Sequence, residues 1–180
     1  MRDVFLDVES SGLNSESSQL IAIGLLVDGE EKTFFANKPE EEKKVIEDFF
    51  GFMLIEESRV ITYYGSYYDI PYIVSRALHL GVDMKKYKIF PFKQIDVYDI
   101  VRNTLKLGKN SLSDVCKFLK IRKEVYIDGK DMPNFYLEAV STDDEEMKTK
   151  IRLHLKDDVK TLKEVWDKLL PVINIEMWEK

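Results

Sequence analysis

Cysteine and histidine are scarce: the 180 residues hold one cysteine and two histidines. A single cysteine excludes an internal disulfide framework, and no Cys/His spacing suits a zinc site. That residue, Cys116, falls on the helical stripe Leu112, Val115, Cys116 and Leu119, so a buried structural thiol is expected. Long apolar runs are missing as well. None approaches the ~18 residues of a membrane span, and no basic-apolar-small leader opens the chain. A cytoplasmic protein without membrane contact is therefore expected. Internal repeats, Pro/Ser linkers and low-complexity tracts are absent, so residues 1–180 read as one domain, large enough to bury its own core. Basic excess is the last absence. Lysine and arginine number 27 against 33 aspartates and glutamates, a formal net charge of −6. That balance speaks against generic coating of nucleic acid, but not against an enzyme that grips a few nucleotides beside an acidic metal site.

What is present starts with Asp7 and Glu9, in the run Phe5-Leu6-Asp7-Val8-Glu9. Alternate residues of a strand share a face, which sets this pair about 6.5–7 Å apart along it. Val4, Leu6 and Val8 form an apolar row on the other face. At an effective dielectric of about 20, two such charges repel by roughly 2–3 kcal/mol. On a solvated face that repulsion is screened. Over the centre of a sheet something must neutralise it, and a divalent cation is the natural candidate. The spacing also overlaps the carboxylate separation of an inverting glycosidase, about 6.5–9.5 Å, which would leave the acidic residues farther along the chain unexplained.

The element order places this strand in a fold class. Residues 3–9 read as a strand, Ser10-Ser11-Gly12-Leu13 as the turn leaving it, and Leu20 to Val27 as a continuous apolar strand closed by a turn at Asp28-Gly29. Thr33 to Ala36 completes a three-stranded antiparallel meander. A helix over about 40–57 carries Val45, Ile46, Phe49, Phe50 and Met53 on one face. Arg59 to Tyr64 returns as a strand, a helix starts near Asp69 and stops at Gly81, and Gln94 to Val97 forms a fifth strand. Helical turns run on to about Leu107, Ser111 or Ser113 caps the Cys116 helix, 122–133 is a loop, and a short helix covers 134–140. Asp143 to Glu146 opens the last long helix, where negative charge suits the helix dipole. Three strands, helix, strand, helix, strand and then helices is a mixed α/β order, that of the RNase H-like fold.

The last helix tests whether the opening pair belongs to a site. Its apolar stripe runs through Ile151, Leu155, Val159, Leu162, Val165, Trp166 and Leu169, and Asp158 sits inside it, whereas Asp157 projects away. A carboxylate at a core-facing position is costly unless it is paired or bound to metal. It is either a metal ligand or the partner of a core-edge Lys or Arg. His154 flanks the same face one turn earlier. Asp69, in Tyr67-Tyr68-Asp69-Ile70-Pro71, is either a further ligand or simply a helix N-cap. His79 reads as a surface partner of its helix end.

Together these residues resemble the DEDD 3′–5′ exonuclease superfamily of RNase H-like proteins. Its Asp-x-Glu motif is matched by Asp7 and Glu9, its aromatic-Asp pair by Tyr68 and Asp69, and its last-helix motif by His154 and Asp158. The chain is most similar to the YprB-like branch, through the block Tyr63 to Pro71, the strand Asp96, Arg122 with the Asp128 to Pro133 loop, and the ending His154 to Val159. Tyr64 and Leu155 stand where that branch has Asn. The resemblance implies a two-metal-ion hydrolase using Mg²⁺ or Mn²⁺, held by Asp7, Glu9, Asp69 and Asp158. Asp7 would bridge the ions, Glu9 and Asp158 would complete the water-activating position, Asp69 would hold the second, and His154 would act as general base or water-orienting group. The turn Ser10, Ser11, Gly12 and Leu13 would meet the terminal nucleotide with Leu13 as a wedge, and Tyr64 and Tyr68 offer stacking surfaces. The expected substrate is the 3′ end of single-stranded DNA or RNA. A structure-selective endonuclease on the same metal site and a non-catalytic nucleic-acid-binding module are the alternatives.

Overall fold

A computed structural model describes residues 2–54, 57–87, 93–125 and 127–179. Among the described residues, five strands form one sheet: β1 (Arg2–Ser10), β2 (Leu20–Val27), β3 (Glu30–Phe35), β4 (Ser58–Thr62) and β5 (Lys93–Asp96). Their order is β3-β2-β1-β4-β5, so β1 is central. β1 to β3 pair antiparallel as the expected meander, while β4 and β5 add parallel to β1. β2 is buried along its whole length, which is why its sequence is a continuous apolar run rather than an alternating one. Asp28 and Gly29 both take positive φ, 53° and 84°, the conformation a two-residue hairpin turn requires.

The helices that cover the sheet are α1 (Glu42–Met53), α2 (Asp69–His79), α3 (Val97–Thr104), α4 (Leu112–Leu119), α5 (Met132–Ser141) and α6 (Glu145–Leu169). A 3-10 turn at Pro39–Glu41 precedes α1, which therefore starts later than its charge run suggests. Residues 55–56, in the expected tail of that helix, lie outside the described residues. Val4, Leu6 and Val8 face α1 and α2, in one core with Ile46, Phe49, Phe50, Ile70 and Ile73. Phe5, whose parity is that of Asp7 and Glu9, lies in the opposite core with Val159, Leu162, Val165 and Trp166 of α6. The two acids of β1 thus face the helix that carries Asp158.

Leu155 fixes how closely that helix approaches. It is fully buried, and a Cβ added at Gly24 would lie 2.5 Å from its Cγ. Gly24 is the register partner of Asp7, so α6 is seated on the sheet at the level of the first acid. The residue at 155 thus packs against the sheet, which explains an apolar side chain there. Cys116 is buried as expected, and burial pushes its thiol up to about 11. β4 stops at Thr62, two residues short of the expected end, because Tyr64 adopts φ 66° and turns the chain.

Candidate metal centre

β1, α2 and α6 deliver the acids to one place. β4 pairs with β1 only as far as Phe5–Ile61, and beyond that point Asp69 Oδ1 accepts the Val8 amide at 3.1 Å. Asp69 is the first residue of α2, and Tyr68 holds the cap position without a side-chain capping bond. The N-cap alternative for Asp69 is thereby replaced by a link to β1. A side chain at residue 65 would fill the space Asp69 needs: a Cβ on Gly65 would lie 2.6 Å from Asp69 Oδ2. On α6, His154 and Asp158 lie one turn apart. His154 Nε2 is 3.4 Å from Glu9 Oε1 and 3.6 Å from Asp158 Oδ2. One donor atom from each of Glu9, His154 and Asp158 lies within 4.8 Å of the others.

The electrostatics follow from crowding acids in a dry site. Burial, followed by the charges of Asp69, Asp158 and Glu9, holds Asp7 well above the carboxylate range. Burial, then Asp158 and Asp69, pushes Glu9 up to about 8. Asp69 rises to about 7, chiefly by burial and against its backbone hydrogen bonds. Burial also raises Asp158, opposed by His154 and Lys123. The His154 imidazole is shifted down by burial, which favours its neutral form. Its Nδ1 lies 3.3 Å from the Val125 carbonyl, a contact that requires Nδ1–H to donate. Nε2 is then a bare acceptor facing two carboxylates. Three acceptors meeting in this way repel unless a proton or a cation lies among them. An oxygen-rich set with one imidazole fits Mg²⁺ or Mn²⁺, and the residues present fit such an ion.

Two members of the site escape sequence reasoning. Lys123 Nζ pairs with Asp158 Oδ1, and both side chains are largely buried, at 17% and 13% exposure. Asp158 is therefore the partner of a core-edge lysine, and its other oxygen faces His154 Nε2. Asp157, which does project off the apolar stripe, accepts the amides of Glu124 at 3.0 Å and Val125 at 3.1 Å through Oδ2. It pins to α6 the loop that carries Lys123 and the carbonyl holding His154.

The rim is built from the turn after β1 and from the segment after β4. Ser10 Oγ donates to the Gly12 carbonyl at 2.9 Å and lies 2.7 Å from the Tyr68 hydroxyl. Ser11 Oγ accepts the Gln19 amide at 2.8 Å, closing the base of the loop. Leu13 is 87% exposed at its tip. Tyr68 is partly buried and engaged by this turn, whereas the Tyr64 ring is 48% exposed and packs against Tyr67 and Tyr98 at 5.1 and 4.9 Å. Buried Asp96 holds that segment, accepting the amides of Tyr64 at 2.7 Å and Ser66 at 2.9 Å. Glu9, His154 and Asp158 thus meet directly, with Asp7 and Asp69 within electrostatic reach of them, and Leu13 and Tyr64 are exposed on the segments that follow β1 and β4.

The family model of the RNase_H superfamily matches residues 4–170. The chain belongs to the RNase H superfamily. Among solved structures, it is similar to the family B DNA polymerase from the hyperthermophilic archaeon Pyrobaculum calidifontis, with a TM-score of 0.78 and 19% identity. That likeness covers 95% of this chain and 25% of the polymerase, so the chain spans about a quarter of the polymerase's length, and what they share is the fold. No curated protein matches the chain. Membership of the RNase H superfamily supports nuclease chemistry on a nucleic-acid substrate, and its nucleases generally use divalent metals, in keeping with the acidic cluster. Among the described residues no helix is long and apolar enough to cross a membrane.

Proposed function

We propose that this protein is a two-metal-ion 3′–5′ exonuclease of single-stranded DNA or RNA, with Asp7, Glu9, Asp69 and Asp158 as metal ligands. The observation that carries this reading is the crowding of buried acids: the carboxylates arrive from three elements, Asp69 and Asp158 raise the affinity of Asp7 and Glu9 for protons, and His154 adds a further acceptor. When bound, a pair of divalent ions supplies a hydroxide at neutral pH and stabilises the leaving oxyanion. As the resemblance implies, Asp7 would hold both ions, Glu9 and Asp158, which lie beside His154 Nε2, would help hold the one that activates water, and Asp69 would hold the other. His154, with Nδ1–H committed to Val125, keeps Nε2 ready to orient the attacking water and accept its proton. Leu13 offers an apolar wedge for the terminal base and Tyr64 an exposed ring for a neighbouring one. Ser10, Ser11, Gly12 and Tyr68 act by fixing the turn that presents Leu13.

Degradation of oligonucleotides labelled at the 3′ or the 5′ end tests the reading. With Mn²⁺ the 3′ label leaves first as a mononucleotide, and EDTA stops the reaction. Turnover that persists in EDTA overturns metal dependence. Cleavage of a circular single strand at the same rate would make the protein an endonuclease.

A further inference from the structure

We propose that Lys123 is the resident counter-charge of the acidic cluster: its ammonium holds Asp158 in the ion-free protein and is displaced when a divalent cation takes that carboxylate. The inference rests on the metal-binding reading above and adds a competitor for one of the ion positions.

Geometry carries it first. Asp158 divides its two oxygens, Oδ1 to the Lys123 ammonium and Oδ2 toward His154 Nε2 and the cluster. Two dications already balance the four carboxylates, so with both ions bound the lysine charge is surplus in a largely buried site and is repelled where water is excluded. The ammonium leaves Asp158 as the second ion enters. The contacts say which position is contested. Asp158 Oδ2 lies 3.6 Å from His154 Nε2, which is 3.4 Å from Glu9 Oε1, so the carboxylate that Lys123 holds belongs to the Glu9–Asp158 side.

The loop around the lysine lets the exchange happen without unfolding the site. Asp157, the neighbour of Asp158 on α6, clamps the amides of Glu124 and Val125, and Val125 in turn holds His154 Nδ1. The backbone is pinned directly after Lys123, so the flexible four-carbon stem can swing out while the imidazole stays in place. In the ion-free protein this arrangement relieves the repulsion of the acids. The cost is weaker uptake of the ion that must expel the lysine.

Two measurements test the exchange. On the wild-type protein, lysine acylation read by mass spectrometry should show Lys123 protected in EDTA and several-fold more reactive with saturating Mg²⁺. On Lys123→Met, titration with Mn²⁺ followed by calorimetry should show one of two sites tightened about tenfold or more, with the other unchanged. The same variant should melt at lower temperature in EDTA and gain more from Mn²⁺ than the wild type does. If Lys123→Met does not fold, the wild-type acylation decides alone. Mn²⁺ uptake with unaltered Lys123 reactivity overturns the exchange but leaves the metal site standing, as does equal or weaker uptake by the variant. No uptake by the wild type overturns both.

Discussion

Two groups of buried charge sit a helix apart in this molecule and behave oppositely. The first joins Arg76 on α2 to Glu42 on α1 by two hydrogen bonds of 2.6 and 2.7 Å, with both residues buried. Its remaining capacity is also used: Glu42 accepts the Leu20 amide at 2.8 Å, and Arg76 donates to the Ser15 carbonyl at 2.8 Å. One anion meets one cation, and the pair ties α1, α2 and the start of β2 to the loop that carries Leu13. The second group is the acidic cluster, where Asp7, Glu9, Asp69 and Asp158 face a neutral imidazole and one lysine. Matched burial of charge belongs to the scaffold. Unmatched burial, maintained at a cost in stability, calls for a ligand that supplies the missing charge.

Removing one member from each group should separate the two roles. Asp7→Asn takes away the carboxylate proposed to hold both ions, so single-turnover cleavage with Mn²⁺ should fall by roughly 10⁴-fold or more, equivalent to about 5 kcal/mol. In EDTA the same variant should melt at higher temperature than the wild type above pH 7, because like charges have been relieved. Wild-type turnover in this variant would end the assignment. Glu42→Ala does the reverse: it strands the Arg76 guanidinium and should cost about 3–5 kcal/mol in urea unfolding. The double substitution Glu42→Leu with Arg76→Met should recover most of that loss, and a recovery of nothing would mean that the pair is not a self-contained unit.

The contrast sharpens with pH. Carboxyls whose affinity for protons is raised in the folded state bind more protons there than in the unfolded chain, so stability falls as pH rises through the interval between the two values. For Glu9 that interval runs from the ordinary 4.5 to about 8, and for Asp69 from 3.8 to about 7. The metal-free protein should therefore lose on the order of 2–4 kcal/mol between pH 5 and pH 8, the acids being coupled and their effects less than additive. Millimolar Mg²⁺ or Mn²⁺ should restore it by mass action. Thermal melts at both pH values, with and without ion, check this; a flat metal-free profile would mean that the acids are not held against their charge.

How far the site could be seen in the sequence depends on where regular structure carries it. Asp7 and Glu9 are legible because a strand alternates, and Asp158 because it interrupts the apolar stripe of a long helix. The antiparallel meander and the apolar run of β2 are legible for the same reason. Lys123 and Val125 lie in a loop without periodicity, and their partners on α6 come some thirty residues later, at His154, Asp157 and Asp158. Nothing local marks them. Asp157 could be placed off the stripe but not given its task, because that task is defined by the loop it holds. Asp69 shows the opposite difficulty. Its local pattern suits a cap, and only the end of β4 pairing against β1 explains why its carboxylate reaches Val8 instead.

Tyr64 is the residue where scaffold and site meet, and it yields the smallest expected effect. A bulky side chain at φ 66° is strained, since Cβ crowds the backbone in the left-handed region, at a cost of about 1–2 kcal/mol. Asn tolerates that conformation far better. Strain kept at an exposed aromatic, on a segment clamped by buried Asp96, is what a stacking surface for a base would leave behind. Tyr64→Asn should then raise the unfolding free energy by about 1 kcal/mol while weakening single-stranded oligonucleotide binding by a similar amount, near fivefold. The opposite signs matter more than the sizes. A ring retained only for packing against Tyr67 and Tyr98 would leave binding untouched when it is lost, and a ring that both packs and stacks would make the variant lose on both counts.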